Sequence, residues 1–160
     1  MPADAEQLAA APAQLTIILP PLPEAAGMAR RAMREALASW VLEHLIESAT
    51  LLTSELVGNA VRHARTEGSA LELRLHLAGN LLRIEVLDTD PRTPTLRDGN
   101  VLEEGGFGLV LVDALADNWG VRRTNRGKAV WFELRSMRPG EHDHQPPDND
   151  GKRWDCWITT

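Results

Sequence analysis

The apolar residues of this chain follow two periods, and the period changes from segment to segment. Over residues 43–65, Leu45, Leu52, Leu56, Ala60 and Ala64 fall close together on a helical wheel, with Val57 and Val61 widening the stripe. That spacing predicts one long amphipathic helix. Residues 24–40 carry Ala, Met and Leu at helical spacing and predict an earlier helix, with Arg30, Arg31 and Arg34 on its solvated face. Residues 109–116 form a shorter apolar run of helical character. Elsewhere the pattern alternates. Residues 71–77 switch between apolar and polar at every step, residues 82–87 do so as far as Val86, and the two runs are joined by Ala78-Gly79-Asn80-Leu81, which predicts a hairpin with one buried face. Residues 14–19 read as an opening strand, stopped by Pro20-Pro21-Leu22-Pro23. Residues 118–124 and 128–135 read as closing strands around Asn125-Arg126-Gly127. The expected fold is α+β: a two-layer sandwich of a mixed, mostly antiparallel sheet with helices on one face.

Three short blocks interrupt this patterning with residues suited to chemistry. In Glu55-Leu56-Val57-Gly58-Asn59-Ala60-Val61-Arg62-His63, Glu55, Asn59 and His63 stand at i, i+4 and i+8 and form one polar row along the edge of the buried stripe. Mg²⁺ prefers hard oxygen ligands and keeps several waters, so one Asn carbonyl beside substrate phosphates suffices; Asn59 is the candidate ligand. Glu55, one turn earlier, is placed to orient or deprotonate a nucleophile near a phosphate. Both residues also fit a merely solvated helix face, and His63 fits an edge position better than a catalytic one. Arg62 falls off the row.

The second block, Asp88-Thr89-Asp90-Pro91, ends the second hairpin strand. A carboxylate there accepts a hydrogen bond from the exocyclic amine of adenine, whereas guanine presents an acceptor at that place and is repelled. Asp88 equally suits an Asx turn before Pro91. The third block, Gly105-Gly106-Phe107-Gly108-Leu109, opens the apolar helical run. Glycines allow a tight turn, and the free amides of a helix N-terminus favour phosphate.

Taken jointly, the blocks resemble the three nucleotide-binding boxes of the GHKL, or Bergerat-fold, ATPases, the superfamily of histidine-kinase catalytic domains and gyrase. The compact length and the run Gly127-Lys128-Ala129-Val130-Trp131-Phe132-Glu133-Leu134 are most similar to the anti-sigma-factor serine kinases. The resemblance spans roughly residues 15–134. It implies Glu55 as catalytic base, Asn59 as Mg²⁺ ligand, Asp88 as the adenine-reading aspartate, and Gly106 and Gly108 as phosphate-loop glycines, with ATP or ADP and Mg²⁺ as cofactors. It implies a sigma factor and a STAS-type antagonist protein as partners, phosphoryl transfer to a Ser or Thr hydroxyl, and it allows a homodimer. Three positions depart from the pattern. Asp90 replaces a glycine, Phe107 stands where anti-sigma-type members often have Arg, and Ala129 stands where many relatives have a Thr near the adenine. The missing Arg leaves Arg92, Arg97 or Lys128 as the cations able to reach the phosphates. Nucleotide binding tolerates these changes better than phosphoryl transfer does. The alternative from another class is a non-catalytic, nucleotide-responsive binding module.

Composition narrows the partners. A chain of 160 residues with 43% hydrophobic residues can bury one substantial core. Its net charge of −6 and the lack of a basic stripe with interleaved aromatics argue against direct nucleic-acid binding. Cys156 is the single cysteine, so no intrachain disulfide framework or Cys-based zinc site is expected. No run approaches a membrane span and residues 1–13 lack a signal-peptide pattern, so a cytoplasmic location is the default expectation. The expected organisation is a flexible N-terminus over 1–13, an ATP-binding domain over 14–135 and a flexible tail over 136–160. In this scheme residues 89–104 form a lid. The tail carries Trp154 and Trp157 as candidate docking residues, and His142-Asp143-His144 is a weak metal candidate.

Overall fold

The computed structural model describes residues 13–63, 69–88 and 107–136. In chain order the elements are β1 (Ala13–Leu19), α1 (Ala25–Ser39), a single 3₁₀ turn (Glu43–Leu45), α2 (Ile46–His63), β2 (Leu71–Ala78), β3 (Leu81–Asp88), α3 (Phe107–Leu115), β4 (Asn118–Thr124) and β5 (Gly127–Arg135). The five strands form one sheet in the order β1-β2-β3-β5-β4. Every pairing among the described residues is antiparallel, so the mixed character expected of the sheet does not appear in them.

Alternation divides the sheet into two faces. Leu71, Leu73 and Leu75 of β2, Leu82, Ile84 and Val86 of β3, and Phe132 and Leu134 of β5 are buried in one core with Leu52, Leu56 and Val57 of α2 and Val112 of α3. α1 joins the same core through Ala25, Ala29, Met33 and Leu37. Each of these strands therefore presents its apolar set to the helices, the register that burial of one face demands. The other face carries Glu72, Arg74, Arg83, Glu85, Trp131 and Glu133.

The turns follow from local backbone needs. Gly79, at φ 59°, takes the left-handed conformation that closes the β2–β3 hairpin. α1 ends in a Schellman arrangement: Leu42 N–H donates to Leu37 O at 2.8 Å and Val41 N–H to Ala38 O at 3.2 Å. The left-handed residue of that cap is Val41, at φ 58°. A β-branched side chain there is strained, and Val41 offsets none of it by packing, being 71% exposed.

Two helix expectations change in detail. The helix expected over 43–65 begins with the 3₁₀ turn, and α2 proper runs Ile46–His63. Arg31 and Arg34 are exposed as expected, but Arg30 is half-buried and donates from Nη1 to Ser54 Oγ of α2 at 3.4 Å, tying the two helices together. Its long stem covers apolar surface while its head finds a partner.

Candidate nucleotide site

Asp88 closes β3 and is 5% exposed. Alternation places it on the helix-facing side, in step with Ile84 and Val86, both core residues. Its cross-strand neighbours are Leu71 on β2 and Lys128 on β5, and Lys128 in turn faces Arg123 on β4. A sheet face that is otherwise apolar thus ends in a row of one carboxylate and two cations. Asp88 is held by further interactions within the chain, and a carboxylate's two oxygens offer about four acceptor sites, enough for an additional donor.

The same register corrects the reading of Ala129. It pairs with Leu87 on one side and Arg122 on the other, on the sheet face turned away from the helices, and it is fully buried there. Alternation therefore removes Ala129 from the adenine end of a helix-facing site and puts Lys128 in that position. Lys128 accordingly stands directly opposite Asp88.

On α2, Leu52, Leu56, Val57 and Ala60 are buried, whereas Glu55 and Asn59 are half-buried. This is the edge-of-stripe placement that the i, i+4 spacing predicts, with both side chains stacked one turn apart along one side of the helix. Asn59 Oδ1 accepts a hydrogen bond from Arg62 Nη2. The expectation that Arg62 stands apart from the row does not hold in the structure, because at i+3 its guanidinium curls back onto the amide oxygen proposed as a metal ligand. His63 is the last residue of α2.

α3 begins at Phe107, so Gly108 lies within its first turn, where unpaired helix amides are found. Val112 anchors α3 in the core beside α2, and Trp119 Nε1 of β4 donates to Asp113 Oδ1 at 2.9 Å, fixing the far end of the helix. Gly105, Gly106, Asp90, Arg92, Arg97, the lid expected over 89–104, the N-terminal segment over 1–12, Cys156, the tail tryptophans and the His142–His144 cluster lie outside the described residues.

Arg123 was not singled out in the sequence, although the signal was there. A two-residue turn at Asn125-Arg126 sets Thr124 opposite Gly127, and hence Arg123 opposite Lys128. A notch of about 300 Å³ at this end of the sheet is lined by Asp88 itself together with Leu87, Glu72, Arg74, Arg122, Thr124, Asn125 and Arg126. Its guanidiniums are partly spent on neighbouring acids: Arg74 Nε meets Glu72 at 2.6 Å and Arg122 Nη2 meets Glu85 at 3.4 Å. Among the described residues no group of His, Cys, Asp and Glu could hold a metal on its own, and no helix is long and apolar enough to cross a membrane.

Comparison with known proteins agrees with this arrangement. Residues 19–134 match the family model of the histidine kinase-like ATPase domain. An uncharacterized protein of Streptomyces coelicolor, SCO4941, is 40% identical over 70 residues, which cover 42% of this chain and 67% of that protein. Among solved structures, the RsbU and RsbW domains of Rv1364c from Mycobacterium tuberculosis superpose with a TM-score of 0.60 at 24% identity over 77% of this chain, a likeness of fold. The match takes in 32% of that mycobacterial chain, so this chain spans about a third of its length. The five-stranded antiparallel sheet, the helices on its one face and the family match over most of the chain lead to one conclusion: the chain belongs to the histidine kinase-like ATPase domain family, with a GHKL-type fold.

Proposed function

We propose that the chain binds ATP with Mg²⁺ between α2 and the helix-facing side of the sheet, and that it serves as an anti-sigma-type regulator that phosphorylates a Ser or Thr of an antagonist protein. The observation that carries this reading is the position of Asp88, buried at a core-facing place on β3, on the side of the sheet covered by α2, which carries the half-buried Glu55 and Asn59. Membership of an ATPase family supports the nucleotide. The solved structure that shares the fold carries an RsbW domain, which supports the regulatory setting. A sigma factor and a STAS-type antagonist are the partners proposed.

The residues present fit the chemistry. Asp88 accepts the adenine amine and rejects the guanine carbonyl. Asn59 supplies one hard oxygen, and its carbonyl retains a second lone pair beside the bond from Arg62, so it suits Mg²⁺. When bound, the ion offsets phosphate charge during transfer. Glu55, one turn before Asn59, takes the proton of the attacking hydroxyl as its oxygen bonds to the γ-phosphorus and the bond to the ADP oxygen breaks. Gly108, in the first turn of α3, allows the backbone to approach the phosphates closely, and the resemblance gives Gly106 the same role.

A second reading, a binding module that responds to nucleotide without transferring phosphate, is favoured by Phe107 at the phosphate turn, where an apolar ring replaces a cation. One experiment separates the two: incubation of the full chain with γ-labelled ATP, Mg²⁺ and candidate antagonists, using wild type and Glu55→Gln. Under the kinase reading, transfer is present and falls on the order of 10²-fold or more in Glu55→Gln. Undiminished transfer in that variant removes Glu55 from its role. No transfer, with ATP and ADP changing affinity for a partner protein, establishes the binding module.

A further inference from the structure

The row Leu71, Asp88, Lys128, Arg123 at the end of the sheet places a lysine directly beside the carboxylate assigned to the base. We propose that Lys128 is a second base-reading residue, donating from its ammonium to an acceptor ring nitrogen that flanks the adenine amine. The proposal rests on the ATP-binding reading above and deepens it.

Directly opposed residues on neighbouring antiparallel strands have Cβ atoms about 4.5–5.5 Å apart. Asp88 and Lys128 are such a pair, on the same face, at the one end of the sheet where that face turns polar. Lys128 is half-buried and Arg123, its neighbour on the other side, is exposed on edge strand β4. Like charges placed directly opposite repel and opposite charges attract, so this pairing favours a Lys128 ammonium turned from Arg123 toward Asp88. In the ATP-binding reading, the base is the group that Asp88 meets. Adenine presents an amine donor flanked by two acceptors, the ring nitrogen of the six-membered ring on one side and the imidazole nitrogen on the other. An acceptor from Asp88 beside a donor from Lys128 is complementary to the amine and either flanking nitrogen. Guanine in the same pose fails at the amine position. It fails a second time if Lys128 reads the six-membered ring, where guanine carries N–H in place of a lone pair. Lys128 then sharpens the discrimination that Asp88 begins.

The competing explanation is that Lys128 only neutralises Asp88. Calorimetry on the full chain with ATP, 1-deaza-ATP and 7-deaza-ATP, for wild type and Lys128→Met, separates the two. The expected result is that one of the two analogues binds wild type about tenfold or more weakly than ATP does, the scale of one charge-assisted hydrogen bond. Which analogue it is identifies the nitrogen. In Lys128→Met, ATP itself weakens by a similar factor and the analogue loses nothing further. Equal binding of all three nucleotides to wild type overturns the inference whether or not the variant folds. The same analogue penalty persisting in Lys128→Met overturns it too and leaves charge neutralisation. No ATP binding to wild type defeats the ATP-site reading beneath it, whereas normal ATP binding without an analogue penalty defeats the lysine's role alone.

Discussion

The two faces of the one sheet solve opposite problems. Toward the helices, Leu73, Leu75, Leu82, Ile84, Phe132 and their neighbours are buried among apolar side chains, and among the described residues the charged groups in that register lie in the terminal row of Asp88, Lys128 and Arg123. Away from the helices, charges are spaced along the strands and satisfy one another. Arg83 meets Glu85 at 3.0 Å and Glu133 at 2.8 Å, and lies 3.9 Å above the Trp131 ring. Asn118 Nδ2 adds a long donor to Glu133 at 3.4 Å. On the outer face polarity is therefore ordinary and explained by its partners. On the inner face polarity is out of pattern and costly, because a charge in an apolar layer must find a partner. A residue type thus carries information only relative to the face on which it lies: Asp88 and Lys128 break an apolar face and mark the candidate site, whereas Glu133, which is 3% exposed, belongs to a structural lattice.

The comparison breaks first at the core. Phe132 is fully buried at the centre of the helix-facing side, on the strand that also carries Lys128. Phe132→Ala removes a large apolar side chain and leaves a cavity that neighbouring strands cannot close, so a loss of about 3–5 kcal/mol is expected. Urea unfolding followed by circular dichroism measures it. A loss below about 1 kcal/mol would mean that the inner face is not the principal core.

The outer lattice should yield less. Arg83→Ala deletes two carboxylate partners at once and uncovers the Trp131 ring, leaving the Glu133 carboxylate buried with only the Asn118 amide nearby among the described residues. Much of the expected cost, about 2 kcal/mol, is the desolvation of that stranded carboxylate rather than the lost attraction. The double change Arg83→Ala with Glu133→Gln should recover part of it, since the stranded charge is then gone. Additive losses in the same unfolding experiment would show that the two side chains are not coupled in solution.

This division into faces was largely legible in the sequence. The alternation of residues 71–77 and 82–86 marks which side chains enter the core, and the polar row of Glu55 and Asn59 at the edge of the α2 stripe followed from spacing alone. The parts that were not legible depend on pairing across strands. The resemblance put Ala129 near the adenine, but only strand pairing shows which face it occupies, because a shift of one position sends every side chain of β5 to the other face. Arg62 was read as lying off the row because a wheel records where a side chain begins, whereas a long guanidinium ends wherever it finds an acceptor, here Asn59 Oδ1. The Val41 cap was invisible for another reason. No local preference favours a β-branched residue in a left-handed position, and only the burial of Leu37 and Leu42 on either side of the turn accounts for it.

The smallest expected effect sharpens the comparison within the outer face itself. Arg74 pairs with Glu72 at 2.6 Å, a shorter contact than either made by Arg83, yet the Arg74 side chain is 46% exposed and that of Arg83 only 24%. If contact length determined the contribution, Arg74→Ala would cost more than Arg83→Ala. Solvent screening and the entropy of holding a long side chain argue the reverse, and exposed pairs are typically worth about 0–1 kcal/mol. Arg74→Ala should therefore change stability by about 0.5 kcal/mol or less, and raising the salt concentration should erase even that difference, because screening acts most strongly on exposed charges. The loss caused by Arg83→Ala should persist in the same salt, since Glu133 is shielded from solvent by the sheet around it. An Arg74→Ala loss equal to that of Arg83→Ala, and insensitive to salt, would mean that Arg74 is packed into the lattice as firmly as Arg83 and that exposure is not what separates the two arginines.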